Sequence, residues 1–257
     1  MMSKRKIIVH YHLFKNAGTS VDEILKDNFG EFWAEIEGPN NRKLDPEPLL
    51  DYIRENPELK AVSSHTAVVS IPETEDIEII PIFFMRHPLA RIRSAYDFER
   101  KQDVQTPGAI KAKEGDFHFY MDWRMSTPTP WQVSNFHAFR LKDFHTFTPA
   151  KQTQLFLERA LKAIEALPVI GLVEDFDRSM EDFAALIRPT FPEFKTFSVV
   201  ANTTSNPSMS LAGKLKAFED KIGTEAYQKL LEINAIDFEL YNMVYTSRFG
   251  EPFEIDK

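Results

Sequence analysis

IIVHYHLFKNAGTSVDEIL, residues 7–25, is the stretch from which the fold is read. Residues 7–13 are short, apolar and β-branched, the make-up of a buried strand. Val21, Ile24, Leu25 and Phe29 then recur at helical spacing, so a helix begins near Thr19–Ser20 and stops at Gly30. Between strand and helix lie Lys15, Asn16, Ala17, Gly18, Thr19 and Ser20. A strand that feeds a helix through such a turn leaves the N–H groups of the first helical turn without intrahelical partners. Those groups and the helix dipole favour an anion. Gly18 lets the backbone approach closely, Thr19 and Ser20 add hydroxyl donors, and Lys15 adds a positive charge. A phosphate or sulfate group suits that set. The same residues also fit a plainer reading, a capped helix behind an ordinary turn.

Two familiar phosphate loops are excluded by spacing. A Walker A loop places its lysine after the second glycine, whereas here Lys15 precedes Gly18. No G-x-G-x-x-G is present, which disfavours a dinucleotide fold of the usual sort.

The rest of the chain continues the alternation. Residues 45–56 read as a helix with proline in its first turn, and 60–65 as a short strand. IEIIPIFFM, residues 77–85, is the strongest strand, although Pro81 suits a central strand badly and moves the expected start to Ile82. Residues 87–102 form a helix with Pro88 first and Leu89, Ile92 and Tyr96 facing inward. A strand over 168–173 is expected between helices over about 151–166 and 177–187, and 211–245 is helical with a break near Gly223. Strands alternating with helices predict a parallel, doubly wound sheet. Residues 103–148 pack aromatics, histidines and prolines without a clean period. They are expected to form neither a good helix nor a good strand, but an insertion over the open end of the sheet.

Composition bounds the function. The net charge of −8 argues against a general nucleic-acid or membrane-surface binder, so any anion site must be local. The absence of cysteine removes disulfides, thiolate metal sites and thiol nucleophiles. The apolar run before Lys15 is too short for a secretory signal, and no run approaches the ~20 residues of a membrane span. A cytoplasmic protein is expected.

A second anion-holding element lies in FFMRHPLARIRSAY, residues 83–96. Arg86 stands where a strong strand ends, and Ser94 lies about two turns into the following helix. Ligands bind at the carboxyl ends of strands in such sheets, and an arginine there would grip a second phosphate in a bidentate way. His10 and His12 are spaced like metal ligands. With no acidic companion evident they are read as core histidines or as histidines that support a neighbouring site group, and no metal is expected.

These residues carry a resemblance. FKNAGTS resembles the P-K-T-[AG]-[GS]-T-S loop of sulfotransferases that use 3′-phosphoadenosine 5′-phosphosulfate (PAPS). RHPLARIRSAY resembles their R-D-P-x-x-R-x-x-S-x-Y element. VIGLVEDFDRSMEDFAAL and NAIDFELYNMV are similar to later elements of the carbohydrate, heparan 2-O-sulfotransferase-like branch. The resemblance implies a single domain over 1–257 with the P-loop-like sulfotransferase fold, a three-layer α/β/α arrangement about a parallel sheet. It assigns Lys15, Asn16, Ala17, Gly18, Thr19 and Ser20 to the 5′-phosphosulfate, with Lys15 stabilising the leaving phosphate oxygen. Arg86 and Ser94 would hold the 3′-phosphate. His65, in VSSHTAVV, stands where that branch places its general base, and histidine titrates in the right range.

Three positions depart from the pattern: Phe14 replaces a proline, Asn16 a threonine, and His87 an aspartate. The branch's Golgi members carry a membrane anchor and cysteines, which this sequence lacks, so it resembles a bacterial member. The expected reaction moves a sulfuryl group to a hydroxyl or amine of a glycan or small molecule and releases adenosine 3′,5′-bisphosphate. The insertion would shape the acceptor site. There Trp123, Trp131, Phe136 and His137 would stack on a sugar, and Arg124 and Arg140 would meet an anionic acceptor such as a uronic acid. Two rivals remain. A nucleotide-dependent phosphotransferase would need magnesium, for which Asp22 lies too deep in its helix and Glu174 is the remaining candidate. A binding relative would have lost transfer activity.

Overall fold

In the computed structural model, which describes residues 4–128, 130–145, 153–197 and 209–253, the apolar run after Arg5 is strand β1 (Arg5–Tyr11), with Ile7, Ile8 and Val9 fully buried. The other strands are β2 (Trp33–Glu35), β3 (Ala61–Ser64), β4 (Ile77–Ile82), β5 (Phe84–Met85) and β6 (Gly171–Leu172). The helices in chain order are α1 (Gly18–Phe29), α2 (Pro46–Glu55), α3 (Pro88–Lys101), α4 (Pro107–Glu114), α5 (Phe117–Ser126), α6 (Phe136–Leu141), α7 (Thr153–Ala166), α8 (Phe176–Ile187), α9 (Leu211–Ile222), α10 (Thr224–Ile233) and α11 (Ala235–Phe249). The fold class is the expected one: a mixed α/β chain with a central parallel sheet flanked by helices. The chain divides into two units, Met1–Met85 with Arg140–Ala201, and Arg86–Phe139 with Asn202–Lys257.

The first unit holds the sheet. Its strands run parallel in the order β2–β3–β1–β4, with Ile8 opposite both Ala61 and Ile80, and His10 opposite both Ser63 and Ile82. β5 and β6 form a separate parallel pair. A strand covered on both faces must be apolar throughout, which is why β1 reads as a continuous hydrophobic run. One core joins Ile8, Ile80 and Ile82 to Val21, Ile24 and Leu25 of α1 and to Met180, Phe183 and Ile187 of α8.

Pro81 corrects one expectation, because it sits inside β4 opposite Val9 and the strand starts at Ile77. The proline is tolerated because β4 is the edge strand of this sheet, where a missing N–H costs no ladder bond on the open side. The strand expected over 168–173 shortens to β6, and β2, only three residues long, had no readable period. Residues 151 and 152 of the expected helix over 151–166 lie outside the described residues.

The second unit is helical, with a core that includes Leu89, Ile92, Tyr96, Tyr120, Phe218 and Leu230. Here the reading of 103–148 is corrected: most of it is the short helices α4, α5 and α6. Each of the first two is started by a cap. Thr106 Oγ1 accepts from the Ala109 N–H at 3.3 Å, and Asp116 Oδ1 from the Phe119 N–H at 3.0 Å. Eight- and ten-residue helices show few repeats of a 3.6-residue period, and aromatics on several sides of α5 blur it further. Residues 129 and 146–148 of that stretch lie outside the described residues. The tail breaks at Gly223 as expected, and again at Asn234. No helix among the described residues is long and apolar enough to cross a membrane.

Candidate active site

Lys15 and Ala17, at φ 64° and 61°, both occupy the left-handed region that costs an L-residue roughly 1–2 kcal/mol. Such strain persists only where the surroundings hold it, and it gathers at ligand sites. Backbone that alternates in hand folds successive N–H groups into an anion-holding concavity. Ala17 is the residue before α1, and its methyl group offers the helix's first turn no cap. Asn16 is 1% exposed, and its side-chain amide donates to Phe14 O at 3.1 Å, bracing the loop from inside. Gly18 and Ser20 are buried, while Thr19 is exposed.

Behind the loop stands an acid that the sequence reading missed in this role. Asp22, one turn into α1, accepts from His10 Nδ1 at 2.8 Å with one carboxylate oxygen and from His12 Nδ1 at 2.7 Å with the other. His10 Nδ1 also lies 3.1 Å from Ser63 Oγ, which accepts from Trp33 Nε1. Burial would raise the Asp22 carboxyl, but the hydrogen bonds and charges of His10 and His12 outweigh it and hold it far below the usual carboxylate range. The two histidines therefore do have an acidic companion. Ligand atoms of His10, His12 and Asp22 lie within 4.8 Å of one another, as do those of Glu35, Glu37 and His65. In the first set both carboxylate oxygens are already engaged by imidazole N–H groups.

His65 follows β3 and is half exposed. Its Nδ1 lies 3.2 Å from His12 O, and since a carbonyl only accepts, Nδ1 carries the proton and Nε2 is left as the basic nitrogen. Nε2 is 3.7 Å from Glu35 Oε1. Glu37 fixes the turn that carries His65, accepting from the backbone N–H groups of His65 at 2.7 Å and Thr66 at 2.9 Å, and from Thr66 Oγ1 at 2.5 Å.

In the second unit, Arg86 and Ser94 line one cavity together with Arg93, Lys214 and the lone acid Asp97, over an apolar floor that includes Leu89, Leu215 and Phe218. Arg93 Nη1 donates to Lys214 O at 2.9 Å. Arg93 and Lys214 were not singled out in the sequence. Lys214 lies about 120 residues from the arginines, and only the packing of α9 on α3 brings it there.

The residues expected at the acceptor are placed differently from one another. Arg124 pairs with Glu99 at 2.5 Å with both side chains about 11% exposed, and donates to Tyr120 OH at 3.1 Å. Burial opposes its charge, yet Tyr120 and Glu99 outweigh that and raise its pKa. His137 has no exposed surface and bonds to Asp237 through Nδ1 at 3.0 Å. Trp131 stacks on Phe139 at 4.4 Å between ring centroids. Arg140 donates to Ala67 O at 3.0 Å, and burial pushes its guanidinium down to about 10 against the opposing charge of Glu37. Phe136 lies under the buried Arg91 guanidinium at 4.3 Å.

The first unit thus carries a strand-to-helix loop with left-handed backbone and a half-exposed histidine, and the second a cavity lined by two arginines and a lysine. Residues 1–246 match the sulfotransferase family. A protein of Archaeoglobus fulgidus, described as uncharacterized, is 40% identical over 250 residues, covering 93% of this chain and 96% of that relative. The chain belongs to the sulfotransferase family.

Proposed function

We propose that the protein transfers a sulfuryl group from PAPS to a hydroxyl, or an amine, of a carbohydrate or small-molecule acceptor. The observation that carries this reading, given the family, is the paired left-handed backbone of Lys15 and Ala17 at the start of α1. It is the conformation that gathers backbone donors for a tetrahedral anion. The acceptor oxygen attacks sulfur, the bond from sulfur to the bridging phosphate oxygen breaks, and adenosine 3′,5′-bisphosphate leaves. Lys15 and the loop N–H groups balance the charge that develops on the departing oxygen. His65 Nε2 takes the acceptor's proton. Arg86 and Ser94, with Arg93 and Lys214 beside them, supply the charge for the 3′-phosphate. The chemistry requires no metal. The likeness to the heparan 2-O-sulfotransferase-like branch, of bacterial type, supports a carbohydrate acceptor. Trp131 and Arg140 stay with that acceptor reading, whereas the buried pairing of Arg124 and His137 suits structural parts better.

The test is thermal stability with adenosine 3′,5′-bisphosphate, ADP and ATP–Mg²⁺, in wild type and Arg86→Ala. A ligand that binds only the folded state raises Tm with its concentration over Kd. A rise with the bisphosphate, lost in Arg86→Ala, supports the reading. A rise with ATP–Mg²⁺ alone replaces it with a phosphotransferase.

A further inference from the structure

Three imidazoles and one carboxylate meet at the end of β1, and the proposed reaction uses only one of them. The rings of His12 and His65 lie 3.8 Å apart between centroids, tilted by 42°, and those of His10 and His12 lie 5.2 Å apart. His12 also covers Gly18, since a Cβ there would fall 2.2 Å from His12 Nε2. One ring therefore touches both the loop and the expected base, and Asp22 holds that ring by its far nitrogen.

We propose that Asp22 is a positioning residue acting through His12, fixing its tautomer and ring so that His12 forms the wall against which His65 is set. This rests on the reading of His65 as base. The carboxylate takes the Nδ1–H of His12, so Nδ1 cannot turn toward His65, and the ring keeps one orientation. His65 in turn donates its own Nδ1–H to His12 O, which turns its Nε2 outward. The groups facing His65 are His12 from the end of β1, Asp22 from α1, Glu35 from β2 and Glu37 beyond it. Burial, and after it the charge of His12, push the His65 pKa down, while Glu37, Glu35 and Asp22 oppose that shift. A base kept short of a proton near neutrality is ready to take one from an acceptor.

The experiment needs neither donor nor acceptor. Imidazole ¹⁵N and ¹H signals are recorded against pH for the wild type, His12→Ala, Asp22→Asn and Asp22→Glu, with folding checked by circular dichroism. The wild type should show His12 with its neutral proton on Nδ1. Asp22→Asn should lose that tautomer preference, and Asp22→Glu should recover it in part. In His12→Ala the His65 midpoint should rise. A wild-type His12 protonated on Nε2, a preference unchanged in Asp22→Asn, or a His65 midpoint that stays put in His12→Ala would each overturn the proposal. The wild-type tautomer and His12→Ala decide it even where Asp22→Asn does not fold. Adenosine 3′,5′-bisphosphate binding is measured in parallel on wild type. If it is absent, the functional reading fails while the dyad stands or falls on the titration.

Discussion

The Cα of Gly18 faces the imidazole of His12 so closely that a Cβ added there would lie 2.0 Å from Cδ2. The ring cannot simply yield, because Asp22 holds its Nδ1 at 2.7 Å. Gly18→Ala therefore forces either the ring off its carboxylate or the first turn of α1 outward. Overpacking of this kind costs about 1–3 kcal/mol. Urea unfolding should show that loss, and calorimetry should show at least a tenfold weaker affinity for adenosine 3′,5′-bisphosphate. Unchanged affinity would mean that the loop does not hold the anion.

The cavity in the second unit makes a separate prediction. Arg86, Arg93 and Lys214 are three cations set against one acid, Asp97, with Ser94 beside them. Arg86→Ala should weaken the bisphosphate by about 10–100-fold, the worth of a charge-assisted contact, and leave the weaker binding of ADP nearly unchanged. Lys214→Ala should cost less, about 3–10-fold, because a lysine acts as a point charge, and the loss should shrink as salt is added. Equal losses for both nucleotides would place the 3′-phosphate elsewhere.

The loop and its flanking elements were legible because each leaves a local mark. β1 is an unbroken apolar run, α1 repeats Val21, Ile24 and Leu25, and Gly30 ends it at φ 53°. What escaped reading depends on contacts across the fold. The partnership of Asp22 with His10 and His12 exists because α1 folds back along β1, and a spacing of 10 and 12 residues has no periodic signature. The available clue was that His10 and His12, two apart, share a face with a polar residue buried opposite. α4 and α5 escaped for another reason. Their caps at Thr106 and Asp116 were in plain view, but a search for periodicity overlooks helices of two or three turns. Glu37 and Lys214 left no local trace.

His87, which stands where the family's pattern has aspartate, predicts a pH dependence. It is fully buried among Phe238, Tyr241 and Phe253, with ring centroids 4.9–5.3 Å away. Burial, and then the charge of Arg86, lower its pKa from 6.5 to about 3. Because the folded state disfavours the proton, the stability contribution is complete above pH 6.5 and is lost as pH falls toward about 3. Between pH 7 and 5, before most carboxylates titrate, about 2 kcal/mol should disappear. His87→Phe keeps an aromatic ring in the box and removes the proton site. Urea midpoints at pH 7, 6 and 5 should fall in the wild type and stay nearly level in the variant. Parallel slopes would show that His87 does not titrate on unfolding in that range.

Asp237 should be the costliest single residue to remove in the helical unit. It has no exposed surface, and its two oxygens accept from the N–H groups of His137 and Ala138 at 2.9 Å each and from His137 Nδ1 at 3.0 Å. It therefore both holds the His137 ring and caps α6, supplied from α11. Asn234, three residues earlier, completes the attachment by donating to Val133 O at 2.8 Å and accepting from the Asn135 N–H at 2.9 Å. Burial raises the Asp237 carboxyl, but His137 and the backbone donors prevail and its pKa is lowered. Asp237→Ala would strand two backbone donors and an imidazole in the interior, at a cost of about 3–5 kcal/mol. Asp237→Asn keeps an acceptor for some of those donors and should cost about half as much. Lys216→Ala, which removes exposed pairs with Glu219 and Asp220, should leave the unfolding midpoint nearly unchanged. Chemical unfolding of the three variants ranks them directly. If Asp237→Ala proved as mild as Lys216→Ala, the segment around His137 would be held by its apolar contacts, and the asparagine–aspartate pair of the last helix would need another explanation.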